Sequence, residues 1–567
     1  MMSFHLSGAD YVVVIGYFLV VLAVGFYFRN RVGEASDYFA GGHQIPWWLA
    51  GISHYMSSFS AFSFIAYAQM GYSYGFVAIT LFAATVPACL LGAFVFARRW
   101  RRARIITPVQ FLEARFNPFV RQLFAWAGIP MKVFDDALKI FSTGIFVALG
   151  TSINLKWAIV TCGAVMVVYT FLGGLWALVV TDYVQFLMKA LAMLMLLPMA
   201  VRAAGGLSTA FHGLPPHFFA VSSGPYGWSY IVGWLILVGI SYNSTWALAQ
   251  KYYSVRNEKE ASKTALCAAV LNVVGAPVMI LPAVLGRKFL PDLLVSHRTA
   301  DVYVLLILKL LPVGMVGIIV AAMLAATMAT VSADFNAMAS VLTKDFYQRV
   351  VNPTVSESRL VRVGRFVTLG LGGLTVFLSL WIAVSHHESL FHLMVTVFGL
   401  FMAPTFLPVL AGLTIRRLTW KGAIAGFATG LATGASMLAI KTWFLPHATG
   451  VSPEWADYHF EGISILVNVM STVLAMLLAT RWLPTTEADT KSIGEFFRQL
   501  DRPIGKAEGG VRSAAATAAI SLSTVAVGGL LVITALFCGS KTAALIDVVV
   551  GLGLAIPGMI LFRRSNR

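Results

Sequence analysis

The chain has 567 residues, 58% of them hydrophobic and only 11% charged, and its mean hydropathy is +0.80. A soluble globular chain carries about 25% charged residues, so this composition excludes a soluble enzyme or binding domain and describes an all-α polytopic membrane protein. The formal charge of +17 does not point to nucleic acid. The basic residues are scattered between apolar stretches, as membrane topology requires.

In chain order, apolar runs and their breaks mark about fifteen helices. They lie near 10–28, 47–70, 75–97, 119–150, 157–177, 183–203, 227–250, 263–286, 302–343, 364–384, 391–414, 421–440, 462–480, 515–537 and 544–562. No basic residue precedes the first run, and Arg29 and Arg31 follow it, which describes a retained helix starting outside rather than a signal peptide. The segment 302–343 exceeds one span and has room for a bend or an added short helix. Residues 482–514 are polar and form the one candidate soluble element; within them "SIGEFFRQLDRP" reads as a short surface helix stopped by Pro503. Cys89, Cys162, Cys267 and Cys538 lie in or at the ends of apolar spans without CxxC spacing, so they read as small buried hydrophobes. The loops lack a Walker loop, and no paired motif such as HExxH appears, so neither ATP hydrolysis nor another enzymatic role is expected.

With the N-terminus outside, the cytoplasmic segments hold 29 Lys and Arg and the opposite loops 7. This asymmetry places the N-terminus outside and the C-terminus in the cytoplasm, integral to the plasma (inner) membrane, and supports an odd number of spans.

Polar groups at membrane depth are tolerated only against protein or a water-filled cavity, and ionisable ones are functional candidates. Four stretches carry them. "HYMSSFSAFSF" (54–64) places Ser57, Ser58, Ser60 and Ser63 inside a span but not on one helical face. A broken helix would free carbonyls for an ion and hydroxyls for a solute; close helix packing is the other reading. "MKVFDDALK" (131–139) offers Lys132–Asp136 and Asp135–Lys139 as i,i+4 pairs, either a clamp or solute contact at depth or an interfacial charge cluster. In "VVTDYVQ", Asp182 follows Gly173–Gly174 and opens the next span, as a helix N-cap or a cation ligand. "AATMATVSADFNAMASVLTKDFY" (325–347) alternates small and hydroxyl residues and puts Thr330 and Asp334 on one face, for close packing or for oxygen ligation of a small alkali cation.

Several further stretches fall in the order and spacing of a known family: "DYFAGGHQIPWWLAGIS" (37–53), "ITPVQFLEARFN" (106–117), "GGLWALVVTDYVQ" (173–185), "AQKYYSVRNEKEA" (249–261) and "GLTIRRLTWKGAIAGFATG" (412–430). With them, and with 325–347, the chain resembles the sodium/solute symporter family of sodium-coupled sugar, proline, sialic acid and monocarboxylate transporters, from about residue 10 to 480. The resemblance implies an inverted-repeat transporter core, five helices plus five. One extra helix and a cytoplasmic loop would occupy 1–45, repeat one 46–205, an extracellular loop 206–225, repeat two 226–416, and about four extra helices 417–567.

It also implies a sodium site. Backbone carbonyls of Met56, Phe59 and Ala326 would join the side chains at 329 and 330. Thr330 fits; position 329, usually serine in the family, is Ala329 here, so one hydroxyl ligand is missing. Asp182 and Ser332 match a second sodium site of some members. Candidate solute contacts are Ser57, Ser58, Ser60, Ser63, Asp135, Asp136, Lys139, Tyr242 and Asn243; of these Asp135 falls near a position where family members meet the solute, while Ser63 and Phe82 stand where the bacterial galactose transporters have polar glutamine and glutamate. Asp135 argues against a simple carboxylate solute unless Lys132 or Lys139 neutralises it. The implied function is symport of sodium with a small organic solute, best a sugar, polyol or sugar acid, with sodium as coupling ion, no other cofactor, and the lipid bilayer as the surroundings. A non-transporting membrane sensor of the same fold, or a symporter for a monocarboxylate or amino acid, are the alternatives.

Overall fold

The computed structural model describes residues 8–565 apart from 30–33, 152, 296–297, 312–314, 386–389, 448–451, 453–454, 485, 506–507, 509–513 and 536–540; Cys538 therefore lies outside the described residues. Every regular element among them is helical. We number the main helices α1 (Gly8–Arg29), α2 (Trp47–Met56), α3 (Ala61–Tyr74), α4 (Val77–Arg102), α5 (Pro118–Thr151), α6 (Leu155–Phe171), α7 (Gly174–Ala203), α8 (Trp228–Ser244), α9 (Trp246–Tyr253) and α10 (Glu258–Phe289). There follow α11 (Val302–Leu310), α12 (Met315–Ser340), α13 (Glu357–Ser385), α14 (Leu390–Thr414), α15 (Trp420–Ala439), α16 (Glu461–Trp482), α17 (Glu487–Asp501), α18 (Ala514–Ala535) and α19 (Lys541–Ser565).

Nine described helices are long and apolar enough to cross a bilayer, and the bent pair α8–α9 makes a tenth. Several of the fifteen segments read from the sequence are shorter pieces here. The run 47–70 is divided between α2 and α3, and 302–343 between α11 and α12, the bend its length leaves room for. The span 227–250 is bent by 50° at Thr245, whose backbone is extended (φ −61°, ψ 138°). At the α6–α7 junction Gly174 has φ 59° and ψ −168°, and a Cβ there would stand 3.0 Å from the Tyr38 carbonyl oxygen. Only glycine meets both demands without strain. The next helix restarts at Gly174, so Asp182 lies two turns inside α7. It is not the N-cap that the sequence allowed.

The centre of the fold is α12. All its residues are buried, because Ala, Gly, Ser and Thr let neighbouring helices approach closely. α1 seats against its first turn, where the Asp10 carboxylate accepts the Gly317 amide at 2.7 Å. A Cβ on Gly317 would stand 2.6 Å from the Asp10 backbone, so glycine is needed for that approach. α15 packs on α16 through Gly422, Gly426, Gly430 and Gly434, one per turn, facing Met476, Thr472 and Asn468. α17 is the expected surface helix: Thr486 and Asp489 form a capping box, it ends two residues before Pro503, and Phe496, Phe497 and Leu500 are buried against the transmembrane body.

Candidate functional site

The serines of 54–64 occupy a helix break. α2 ends at Met56, Ser57 to Ser60 leave the helical path, Ser60 is extended (φ −152°, ψ 172°), and α3 begins at Ala61. A break at depth exposes backbone groups that need partners. The Ser58 hydroxyl donates to the Tyr55 carbonyl at 2.7 Å, and the Ala61 amide donates to the Thr327 hydroxyl at 2.8 Å.

Across from the break, the Thr330 hydroxyl lies 3.4 Å from the Met56 carbonyl oxygen and 3.1 Å from that of Ala326, and it donates to the Phe59 carbonyl. Four oxygens, from the end of α2, the break and α12, with no carboxylate, thus converge on one point, the hard-donor set suited to a monovalent cation. Ala329 is fully buried beside them and contributes only a methyl. The two residues of the second expected site are both buried and each makes its own hydrogen bond. Ser332 donates to the Met328 carbonyl of its own helix at 2.5 Å, while Asp182 accepts from Ser53 and its other oxygen is buried without a hydrogen-bond partner among the described residues.

The charged stretch on α5 folds differently from its i,i+4 reading. Lys139 does meet Asp135, at 2.8 Å, but Lys132 pairs with Asp135 at i,i+3 (2.7 Å) instead of Asp136. Lys132 is drawn toward α12, where it meets Asp334 at 2.8 Å; Lys139 reaches the same Asp334 at 3.2 Å and Asp136 at 3.2 Å. The cluster is thus three carboxylates and two ammoniums on two helices, all buried except the half-buried Lys139. By count of groups, carboxylates outnumber ammoniums by one.

A cavity of about 130 Å³ joins these features. Ser57, Ser58, Ser60, Ser63, Tyr242 and Thr330 line it with hydroxyls, Lys132, Asp135, Lys139 and Asp334 form its charged side, and Phe62, Phe82 and Trp234 contribute aromatic surface. Two expected solute contacts fall outside it. Asp136 is fully buried behind Lys139. The Asn243 side chain donates to the Ala88 and Gly239 carbonyls at 3.0 and 2.8 Å, fastening α8 to α4.

The sequence reading missed Thr85, Ser241 and Thr245, which also line the cavity. It missed Lys189 too. This buried lysine on α7 has no hydrogen-bond partner among the described residues; its ammonium nitrogen stands 2.7 Å from the Phe59 ring centroid and 4.1 Å from that of Tyr55. A lone lysine inside an apolar run was signal enough to find it.

The sequence model of the Sodium:solute symporter family matches residues 38–430, which hold α2 to α14 and every residue of this site. The chain belongs to that family. Among curated relatives, it is 24% identical to the sodium/sialic acid symporter NanT of Aliivibrio fischeri, over 75% of this chain and 86% of that protein. It is 26% identical to the sodium/myo-inositol cotransporter 2 of Sus scrofa, over 87% of this chain and 80% of that one. The fold matches that of a Na+-coupled sialic acid symporter solved in a substrate-bound, outward-open state, with a TM-score of 0.70, 21% identity and coverage of 84% and 98% of the two chains. Membership in this family makes the chain a multi-pass membrane transporter by kinship, not an enzyme.

Proposed function

We propose that the chain imports a small hydroxylated solute, a sugar, polyol or sugar acid, together with sodium. The observation that carries this reading is Thr330. Its hydroxyl gathers the carbonyls of Met56, Phe59 and Ala326 and also lines the hydroxyl-rich cavity. An ion held there would order the α2–α3 break, and the break carries the serines that face the solute. Relatives that are named as sialic acid and myo-inositol transporters agree with a polyol or sugar acid. Asp135 does not oppose an acidic solute, since Lys132 and Lys139 both neutralise it.

The breaks in α2–α3 and α8–α9 fall at the start of the two proposed repeats, 46–205 and 226–416, and support a five-plus-five core. Rocking of one repeat against the other would expose solute and ion inside. The sodium gradient and the membrane potential, about 2.3 kcal/mol per charge per 100 mV, would drive accumulation. The N-terminus would lie outside and the C-terminus in the cytoplasm; cysteines placed at each end and labelled in intact cells test this. One observation favours the sensor alternative: Ala329 removes an oxygen from the ion site. Uptake into proteoliposomes decides. An inward sodium gradient should accumulate a member of a panel of sugars, polyols and sugar acids. Failure across the panel, with sodium-dependent binding retained, would favour the sensor.

A further inference from the structure

Beyond the transport site, a second cavity, of about 240 Å³, opens at the basic end of α4. Its walls come from three places: α4 itself, Thr414 and Arg416 at the end of α14, and Phe497, Leu500 and Asp501 on α17. Arg98, Arg99, Arg102 and Arg416 face it, against a single carboxylate, Asp501. Arg416 pairs with Asp501 at 2.6 Å and Arg102 with Glu258 at 3.1 Å. Arg98 donates to the Ser262 hydroxyl, at 3.0 Å, and Arg99 to the Val95 carbonyl, at 2.6 Å. Neither meets a carboxylate among the described residues. The Nε of Arg102 is buried with no acceptor among the described residues. A wall with this surplus of oriented guanidinium donors is built for an anion, and phosphate oxygens suit the guanidinium fork.

The other wall says which anion. Phe94 lines the same cavity and is 72% exposed, and Leu91, about one turn deeper in the membrane-spanning helix, is 42% exposed. These side chains are apolar and exposed on a helix long and apolar enough to span a bilayer, while the arginines lie at its end. We propose that this cavity holds the phosphodiester headgroup of an anionic phospholipid from the leaflet at this end of α4, with its acyl chains along Phe94 and Leu91. A free phosphate would use the arginines and leave the exposed ring unexplained. The bound lipid would bridge α4, α14 and α17 across the cavity, where the ion pair Arg416–Asp501 links α14 to α17 and Arg104, just past α4, donates to the Gln499 carbonyl of α17.

The test uses the full chain in nanodiscs of phosphatidylcholine alone or with phosphatidylglycerol, and reads the thermal unfolding midpoint and the lipid retained in native mass spectrometry. Phosphatidylglycerol should raise the midpoint and leave one lipid bound. Arg98→Gln with Arg99→Gln should weaken that lipid's apparent affinity roughly thirty-fold, at about a tenfold change per 1.4 kcal/mol and ~1 kcal/mol per basic residue, with the midpoint in phosphatidylcholine unchanged. Arg98→Lys with Arg99→Lys, which keeps the charge, should retain most of the effect and guards against a folding defect. Equal midpoints in the two lipids would overturn the proposal, as would an undiminished shift in the glutamine variant. A full shift produced by inorganic phosphate or glycerol 3-phosphate alone would overturn it in favour of a soluble anion.

Discussion

The hydroxyl of Thr327 accepts the backbone amide of Ala61 at 2.8 Å and lies 2.8 Å from the hydroxyl of Thr143. One side chain of α12 therefore satisfies the first turn of α3, a donor no intrahelical carbonyl can reach, and ties it to α5. Thr327→Val keeps the shape and removes the acceptor. A buried amide left unpaired costs about 1–3 kcal/mol, so the thermal unfolding midpoint of the purified protein should fall. An unchanged midpoint would show that the break does not depend on this contact.

At the ion site, the oxygen count predicts opposite effects for two neighbours. Thr330→Ala removes the side-chain oxygen that meets three carbonyls, and sodium dependence of uptake should disappear. Ala329→Ser restores a hydroxyl at the position where this chain has only a methyl, and half-maximal uptake should need less sodium. Sodium titrations of initial uptake rate read both; unaltered coupling in Thr330→Ala would refute the assignment.

The charge cluster separates Asp135 from Asp136. Asp135 holds both Lys132 and Lys139, whereas Asp136 holds Lys139 alone and has one oxygen without a partner. Breaking a buried pair costs about 3–5 kcal/mol, so Asp135→Asn should express poorly or melt early. Asp136→Asn replaces the carboxyl in formal excess and should melt close to the parent. Equal losses in detergent melting curves would contradict this division.

Lys189 places a buried ammonium or amine with no hydrogen-bond partner against Phe59 and Tyr55. A buried polar group without a partner costs about 1–3 kcal/mol. Lys189→Met, nearly equal in volume, should therefore match or exceed the parent in thermal midpoint. A clear drop would mean that the lysine finds a partner in another conformation.

On the polar segment 482–514, the hydrogen bond and charge of Arg104 hold the Glu508 carboxyl below its ordinary value of 4.5. A depressed carboxyl contributes its stabilisation above the unfolded value, and that contribution fades as pH falls through the folded value. Hydrogen exchange in peptides covering 499–508, corrected for intrinsic rate, should show protection at pH 6 that weakens below about pH 4.5. Glu508→Gln should remove the pH dependence; a variant that keeps it would place the titration elsewhere.

Much of this was legible in the sequence where chemistry departed from the bilayer's demands. Serines crowded into a span announced the α2–α3 break, and Thr330 and Asp334 stood out on a helix of small residues. Asp334 shows where reading stopped: its spacing could be seen, but not that it would turn Lys132 away from Asp136, because that pairing depends on how α5 and α12 face each other. Asn243 shows the opposite limit. A polar residue near a bend looks like a ligand until the Ala88 carbonyl is found beside it. Local spacing reports which groups need partners, and only tertiary packing supplies them.

α12 has no residue turned outward. The helix that bears Thr330 and Asp334 therefore never touches an acyl chain. A thicker or thinner bilayer acts first on lipid-facing helices such as α1 and α13, through tilt and mismatch. The ion site feels such changes only after those neighbours have absorbed them.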